Sequence, residues 1–354
     1  MKTQHIIASI AALFSLAAMR AETPGAQDWR KAFLEMQNSR VMMDYVHPYR
    51  LMQGRESDIR PSGAIAANAQ WERKERPNRY IDEQRRGADF FAEPALATNN
   101  PAALQQGLAI MQHGLDWQAG DGTFPGCPDE FHSAIFFLES ISRALVLMRA
   151  SDNECYQRQL AKWKPKLEIL ARRLMKPEVA DARRNLADAE KFTHRDYIYA
   201  AAYAMVSGLA ALPGAQEAAA RHAERSLARQ HPDGTNPERG GFDMGYQAAG
   251  LLFAGRYFYF CDDDAMRRRI AAMYDKALAA MRDHLDSDGN VKPEGNTRIG
   301  KEKDREGVKK KVNHAVIVNV FATGAHITGR QDYADFAKIV GEKQVAPLLK
   351  ASAN

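Results

Sequence analysis

Two kinds of helical pattern alternate along this 354-residue chain, and their alternation limits the folds open to it. In one kind, as at 265–285, apolar residues recur every three or four positions and charged residues occupy the other faces. Such a helix is wetted on one side only. In the other kind, as at 245–260, several turns carry almost no charge. A helix that is apolar all round is buried on all sides.

The order of the two kinds indicates a ring. An outer-type helix at 214–230 precedes an inner-type helix at 245–260, and an outer-type helix at 265–285 precedes an inner-type helix at 314–327. The segment 197–212 is also of the inner type, and strand patterns of period two are nearly absent. We therefore predict an all-α fold, an (α/α) toroid or barrel of inner helices wrapped by outer helices. An open α-solenoid is the alternative.

The connections between helices repeat as well. Asp-Gly turns occur at 121–124 (DGTF), 233–236 (DGTN) and 287–290 (SDGN). Each follows an outer-type helix and precedes a polar loop that leads into the next inner helix. Asp-Gly is a common turn dipeptide, but its recurrence at the same point favours an internal helical-hairpin repeat.

The first residues resemble an export signal. Lys2 is followed by an apolar run at 6–18 and by small residues ending at Ala21, which predicts a signal peptide at 1–21. The run is shorter than the roughly 20 residues of a spanning helix, although a retained N-terminal anchor is the alternative. We expect a periplasmic or secreted protein with no membrane insertion after signal removal. Because no Pro/Ser/Gly linker occurs, 22–354 is predicted to be a single catalytic domain with an irregular N-terminal segment. We also expect a monomer.

Charge and cysteine content limit the kinds of ligand, metal ion and macromolecule that we expect this chain to bind. The formal net charge of +5 fits an acidic ligand, whereas the absence of a basic stripe interleaved with aromatic residues argues against nucleic acid. Cys127, Cys155 and Cys261 lack metal-ligand spacing, and the histidines lack HExxH-like spacing. We predict no metal and no cofactor, with Ca²⁺ held by scattered carboxylates left open. The cysteines form one disulfide or are small buried hydrophobes.

Polar residues gather where the inner helices begin. In an (α/α) ring these junctions all open onto one end of the central cavity. Clusters occupy 129–133, 193–199, 236–247 and 293–298, the last together with Asn313 and His314. The charged loop at 301–311 fits either a solvated loop or a mobile flap over an anionic chain.

These clusters carry a family resemblance. The motifs GDGTFPG, DEFHSAIFFLES, HRDYIYAAAY and GGFDMGYQAAGL resemble those of the (α/α)-toroid polysaccharide lyases of the glucuronan- and alginate-lyase type, polysaccharide lyase family 38 among them. The likeness covers about 110–325. It implies a helical toroid, a uronate polymer as substrate, and a site of His, Tyr, Asn or Gln, and Arg. Thr193 stands before His194 where some toroid lyases have an Asn-His pair, so the residue that neutralises the carboxylate is not fixed.

β-Elimination explains why these residue types belong together. The proton alpha to a sugar carboxylate is hardly acidic until a cation or amide neutralises that carboxylate and stabilises an enolate-like intermediate. A His or Tyr base then removes the proton, and a Tyr hydroxyl protonates the leaving oxygen. His194 and Tyr197 are three residues apart and are expected to share a helix face that points into the cavity. The predicted catalytic residues are His194, Tyr246, Tyr197, His132 and Arg298, and the predicted substrate-binding residues are Gln247, Asn313, His314, Glu238, Asp243 and Arg195.

Other interpretations remain open at this point. His194 could be a hydrogen-bonded core histidine, and His132 could only cap its helix. A glycoside hydrolase would use carboxylates in pairs, and the chain offers Asp129, Glu130, Glu238 and Asp243. A non-catalytic periplasmic polysaccharide-binding protein is the third interpretation, because a fold does not determine a function.

Overall fold

The computed structural model describes residues 28–151, 153–176, 179, 192–238, 241–292, 294–303, 307, 309 and 311–353. The predicted signal peptide at 1–21 and part of the loop at 301–311 lie outside these residues. Within them the chain is helical and forms isolated β-bridges but no β-strand. The α-helices are α1 (Trp29–Gln37), α2 (His47–Arg55), α3 (Ala67–Glu72), α4 (Glu93–Thr98), α5 (Pro101–Trp117), α6 (Glu130–Arg149), α7 (Glu154–Leu174), α8 (Thr193–Leu209), α9 (Ala215–Leu227), α10 (Met244–Phe260), α11 (Asp264–Asp283), α12 (His314–Thr328), α13 (Gln331–Val340) and α14 (Ala346–Ala353).

Shorter helical turns join several of these helices. A π-helical turn at Met42–Val46 leads into α2, and another at Gly341–Val345 joins α13 to α14. A 3₁₀ turn at Ile81–Arg85 and a π-helical turn at Gly87–Ala92 lead into α4.

The helices form two rings. In the inner ring α6 packs on α8, α8 on α10 and α10 on α12. Met42–Val46 and α2 close the ring, because Met42–Val46 contacts α12 while α2 contacts Gly87–Ala92, which in turn packs on α6. Around them lie α7, α9, α11 and α13, each against the inner helix that precedes it, and α5 against Gly87–Ala92. The prediction of an all-α fold with inner and outer helices is confirmed.

The two periodicities account for the two layers. Helix α11 buries Met266, Ile270, Met273 and Met281 on one face and leaves its charged residues in solvent. Burial of one such apolar side chain stabilises the fold by about 1.5–3 kcal/mol. Helix α10, by contrast, is buried along nearly its whole length, as expected for an inner helix.

The turn after each of several outer helices has the same geometry. The Asp121 and Asp233 carboxylates accept hydrogen bonds from the backbone and hydroxyl of the threonine two residues later. The glycine between them has a positive φ, 88° at Gly234, which favours glycine. A Cβ at Gly234 would lie 2.2 Å from the Lys276 carbonyl oxygen, so the turn packs directly on α11. In both turns two backbone hydrogen bonds close the loop, from the first residue to the carbonyl oxygen four residues later and from the glycine N–H back to the first carbonyl oxygen. Residues 60–64 make the same two backbone hydrogen bonds without an Asp-Gly dipeptide.

Three features differ from or complete the sequence expectations. The N-terminal segment is less irregular than predicted, because α1, Met42–Val46 and α2 precede the loops. All three cysteines are free, with Cys155 exposed and Cys261 buried. Among the described residues, α6 is long and apolar enough to cross a membrane by length and composition, but most of it is buried inside the ring, as core helices are.

Candidate active site

A cavity of about 560 Å³ opens at the end of the ring where the inner helices begin. This volume is typical of pockets that enclose a small ligand. The inner helices supply their first turns to it, and the positive ends of the helix dipoles there favour a negative ligand. The predicted site residues that line the cavity are His132, His194, Arg195, Tyr246, Arg298 and Asn313.

His194 is fixed by a buried carboxylate. Its Nδ1 lies 2.8 Å from Glu238 Oε2, and its backbone N–H donates to Glu238 Oε1 at 2.8 Å. Glu238 is fully buried, and by accepting the His194 backbone N–H it caps the N-terminus of α8, a role that the apolar side chain of the N-cap residue Phe192 cannot take. An ionised carboxylate only accepts hydrogen bonds, so Nδ1 carries the proton. The lone pair of His194 is therefore on Nε2, the nitrogen left for the cavity.

Tyr246 lies between His194 and Arg298. Its ring centroid is 4.6 Å from that of His194, and the Arg298 guanidinium carbon is 3.9 Å from the Tyr246 ring centroid. Asp243 holds the pair together by accepting from the backbone N–H groups of Tyr246 and Arg298. The result is a stack of imidazole, phenol and guanidinium on one cavity wall.

Arg298 is only 7% exposed. Its Nη2 pairs with Glu302, whereas Nε and Nη1 have no hydrogen-bond partner among the described residues. A buried guanidinium with unused donors is costly without a ligand, which makes Arg298 a candidate anion receptor.

The cavity carries an excess of positive charge. Six basic side chains line it against two carboxylates, those of Asp82 and Asp89. Burial alone would raise the pKa of Asp89, but the guanidinium groups of Arg143 and Arg85 lower it to about 2. The basic residues are Arg50, Arg85, Arg195, Arg256, Arg298 and Lys311.

A buried ionic network forms the floor of the cavity, and the sequence analysis missed it. We call it the floor network. Arg143 is fully buried and pairs with the three carboxylates of the network, those of Asp89, Glu93 and Glu139. Arg256 Nη1 donates to Glu139 Oε1 at 2.8 Å, and Arg50 pairs with Glu93. The network consists of Arg50, Asp89, Glu93, Glu139, Arg143 and Arg256.

The expectation that Tyr197 points into the cavity is wrong, because Tyr197 does not line it. Tyr197 is fully buried, and its hydroxyl has no hydrogen-bond partner among the described residues. Burial raises its pKa, which opposes a role as an ionised base. The physical reason is that only the first turn of α8, His194 and Arg195, reaches the cavity.

Four predicted substrate-binding residues also lie outside the cavity lining. Gln247 is buried and bonds the backbone of Asn236 and Gly234. Glu238 and Asp243 use their oxygens on His194 and on backbone N–H groups, as described above. The ring of His314 contacts the backbone of Gly289. These side chains stabilise the loops instead of facing a ligand.

The carboxylates proposed for a hydrolase do not meet in the cavity. Glu130 accepts from the Phe124 backbone and pairs with Arg173 at 2.9 Å, and Asp129 precedes α6 in a left-handed conformation. With Glu238 and Asp243 also engaged, none of the four lines the cavity. In the described part of the chain no group of three or more His, Cys, Asp or Glu side chains could hold a metal ion.

Comparison with known proteins gives distant structural likenesses only. No model of a protein family and no protein with curated annotation matches the chain. A structure of a UGL variant described with dGlcA-Glc-Rha-Glc is 14% identical, covers 77% of this chain and 76% of its own, and has a TM-score of 0.44. The Lin0763 protein from Listeria innocua is 12% identical, covers 89% of both chains and has a TM-score of 0.49. At these scores neither likeness assigns a function to this chain.

Proposed function

We propose that the protein is an exported polysaccharide lyase that cleaves a uronate-containing polymer by β-elimination, in the periplasm or outside the cell. The observation that carries the proposal is the stack of His194, Tyr246 and Arg298 on the wall of a positively charged cavity. It places a proton donor, Tyr246, in contact with both a base and a carboxylate receptor.

Each of these three side chains carries out one step of the elimination. The Arg298 guanidinium pairs with the uronate carboxylate and stabilises the charge that develops on it as the alpha proton leaves. His194 Nε2 removes that proton, because Glu238 holds the other ring nitrogen as N–H. The bond from the sugar to the glycosidic oxygen breaks, a double bond forms in the ring, and the Tyr246 hydroxyl protonates the departing oxygen.

The contact between the two rings also completes the cycle. After the reaction Tyr246 lacks a proton and His194 carries an extra one, and their ring centroids are 4.6 Å apart. Proton return from His194 to Tyr246 restores both groups without a further residue. When the two protons lie on the same side of the sugar, Tyr246 serves as both base and acid.

The test is a substrate screen with an optical readout. Purified protein is incubated with glucuronan, alginate, pectate, hyaluronan and a xanthan-type polymer, and ultraviolet absorbance is followed. Elimination creates a double bond conjugated to the carboxylate, so absorbance should rise with one or more of these polymers. New reducing ends without any absorbance would establish hydrolysis, and binding without chain cleavage would establish a polysaccharide-binding protein.

A further inference from the structure

The floor of the cavity holds a second pair of arginines, well separated from Arg298. Arg256 and Tyr246 both belong to α10 and both line the cavity, ten residues apart. At 1.5 Å per residue this is about 15 Å along the helix axis, reduced by the tilt of the Arg256 side chain towards the helix N-terminus. The cavity therefore extends down α10 by the length of a short oligosaccharide.

Arg256 and Arg50 reach the cavity with unused donors. Arg256 is 5% exposed and Arg50 7% exposed. Each uses Nη1 on a carboxylate, Glu139 or Glu93. In the part of the chain that the structure describes, Nε and Nη2 of both residues make no hydrogen bond, and they are absent from the fully enclosed polar atoms. The network fixes one side of each guanidinium, so the N–H groups on the other side face the cavity.

The two arginines also act on each other. Burial, and after it the charge of Arg256, lowers the pKa of Arg50 to about 10. The Arg50 side chain thus remains charged at neutral pH. The carboxylates of Asp89 and Glu139 offset part of this repulsion, and an added anion would offset more of it. A planar carboxylate fits the guanidinium fork in two-point hydrogen bonding.

From this placement we infer that Arg50 and Arg256 form a second carboxylate subsite, which binds the uronate next to the one at Arg298. The inference rests on the proposed function and names its substrate class: a polymer with successive uronate residues, not one in which each uronate alternates with neutral sugars. Two carboxylates on neighbouring sugars would then meet two separate cationic sites in the same cavity.

The experiment measures binding and needs no turnover. Calorimetric affinity is compared for a disaccharide of two uronates and for a disaccharide of one uronate and one neutral hexose. In the wild-type protein the di-uronate should bind at least about tenfold more tightly, the scale of a hydrogen bond between charged groups. The double variant Glu139→Gln/Arg256→Gln removes one charge of each sign, so it leaves no unpaired buried ion. It should lose about tenfold for the di-uronate and change little for the other sugar.

The control is Glu130→Gln/Arg173→Gln, which removes an ion pair of 2.9 Å outside the cavity and should keep the preference for the di-uronate. Equal binding of both sugars by the wild-type protein, or an unchanged preference in the Glu139→Gln/Arg256→Gln variant, would overturn the subsite. Because binding alone is measured, di-uronate binding that depends on Arg256 would support the subsite even if no polymer were cleaved. Cleavage with no dependence on Arg256 would reject the subsite and keep the lyase.

Discussion

Replacement of Glu238 by Gln would test whether His194 is a base or only a core histidine. The amide oxygen of Gln can still accept the His194 backbone N–H, but its NH₂ group then faces Nδ1, where the carboxylate oxygen lies 2.8 Å away in the native protein. A donor in that position requires Nδ1 to accept, so the ring proton moves to Nε2. The lone pair that we assign to proton abstraction would no longer face the cavity.

Two magnitudes follow from this exchange. Loss of a correctly oriented general base should lower kcat by about 10²- to 10⁴-fold. The folded state loses the charge on two buried hydrogen bonds but keeps their partners, so the free energy of unfolding should fall by about 1–3 kcal/mol. The rate loss therefore exceeds what a small population of unfolded protein could cause.

The assay joins kinetics to a direct view of the tautomer. Initial rates come from ultraviolet absorbance, and the chemical shifts of the two imidazole nitrogens from ¹⁵N nuclear magnetic resonance show which one carries the proton. Asp243→Asn is the matched control, because Asp243 is equally buried but accepts only from backbone groups; it should leave the His194 tautomer unchanged. A Glu238→Gln protein with normal kcat and the proton on Nε2 would refute the role of His194.

Three further outcomes are expected. Tyr246→Phe removes one hydroxyl and should lower kcat about 100-fold or more with little change in melting temperature; near-normal turnover would assign the proton donor elsewhere. Substrate affinity should weaken with added salt in a titration, because basic groups outnumber carboxylates in the cavity; a neutral glucan as best substrate would contradict this. Burial, then Arg50, lowers the pKa of His47 to about 4, so the contribution of this group, measured by urea unfolding of wild type relative to His47→Gln, should be fully present above pH 6.5 and fall by about 3 kcal/mol between pH 6.5 and 4. His47→Gln, but not the exposed His231→Asn, should remove that loss.

Local periodicity was enough to predict the ring but not its closure. The inner helix predicted at 245–260 is observed at Met244–Phe260, and the outer helix predicted at 265–285 at Asp264–Asp283. The segment that closes the ring contains the π-helical turn Met42–Val46. Such a turn inserts a residue into the helical period. The spacing of apolar residues is therefore interrupted there and does not predict one continuous inner helix.

The site was predictable at the helix starts and not below them. Polar residues in the first turns of α6, α8 and α10 do meet in the cavity, because parallel inner helices begin at one end. Tyr197 shows the limit of predicting a site from helical spacing. It was expected to share a helix face with His194, but the spacing does not show how far along α8 the cavity extends. The cavity extends along α10 as far as Arg256, whereas only the first turn of α8 lines it.

A signal for the floor network was present in the sequence. Glu139 and Arg143 are four residues apart within the apolar helix α6, and Arg256 interrupts the apolar helix α10. Charges inside helices that must be buried require partners. The sequence therefore shows that partners exist, but the pairing depends on contacts between distant segments, such as that of Arg143 with Asp89.

The floor network also makes stability depend on pH through Glu139. Burial raises the pKa of Glu139 to about 7, although Arg256 opposes the shift and Asp89 adds to it. Because this pKa lies above the ordinary value of 4.5, the folded protein binds more protons than the unfolded chain between pH 4.5 and 7. The free energy of unfolding therefore falls as pH rises through that window, by at most about 3 kcal/mol from this group. Glu139→Gln removes the titration, so the stability of this variant relative to wild type, measured by urea unfolding, should increase from pH 4.5 to 7 and level off above. A constant difference across this range would mean that Arg143 and Arg256 keep Glu139 ionised throughout.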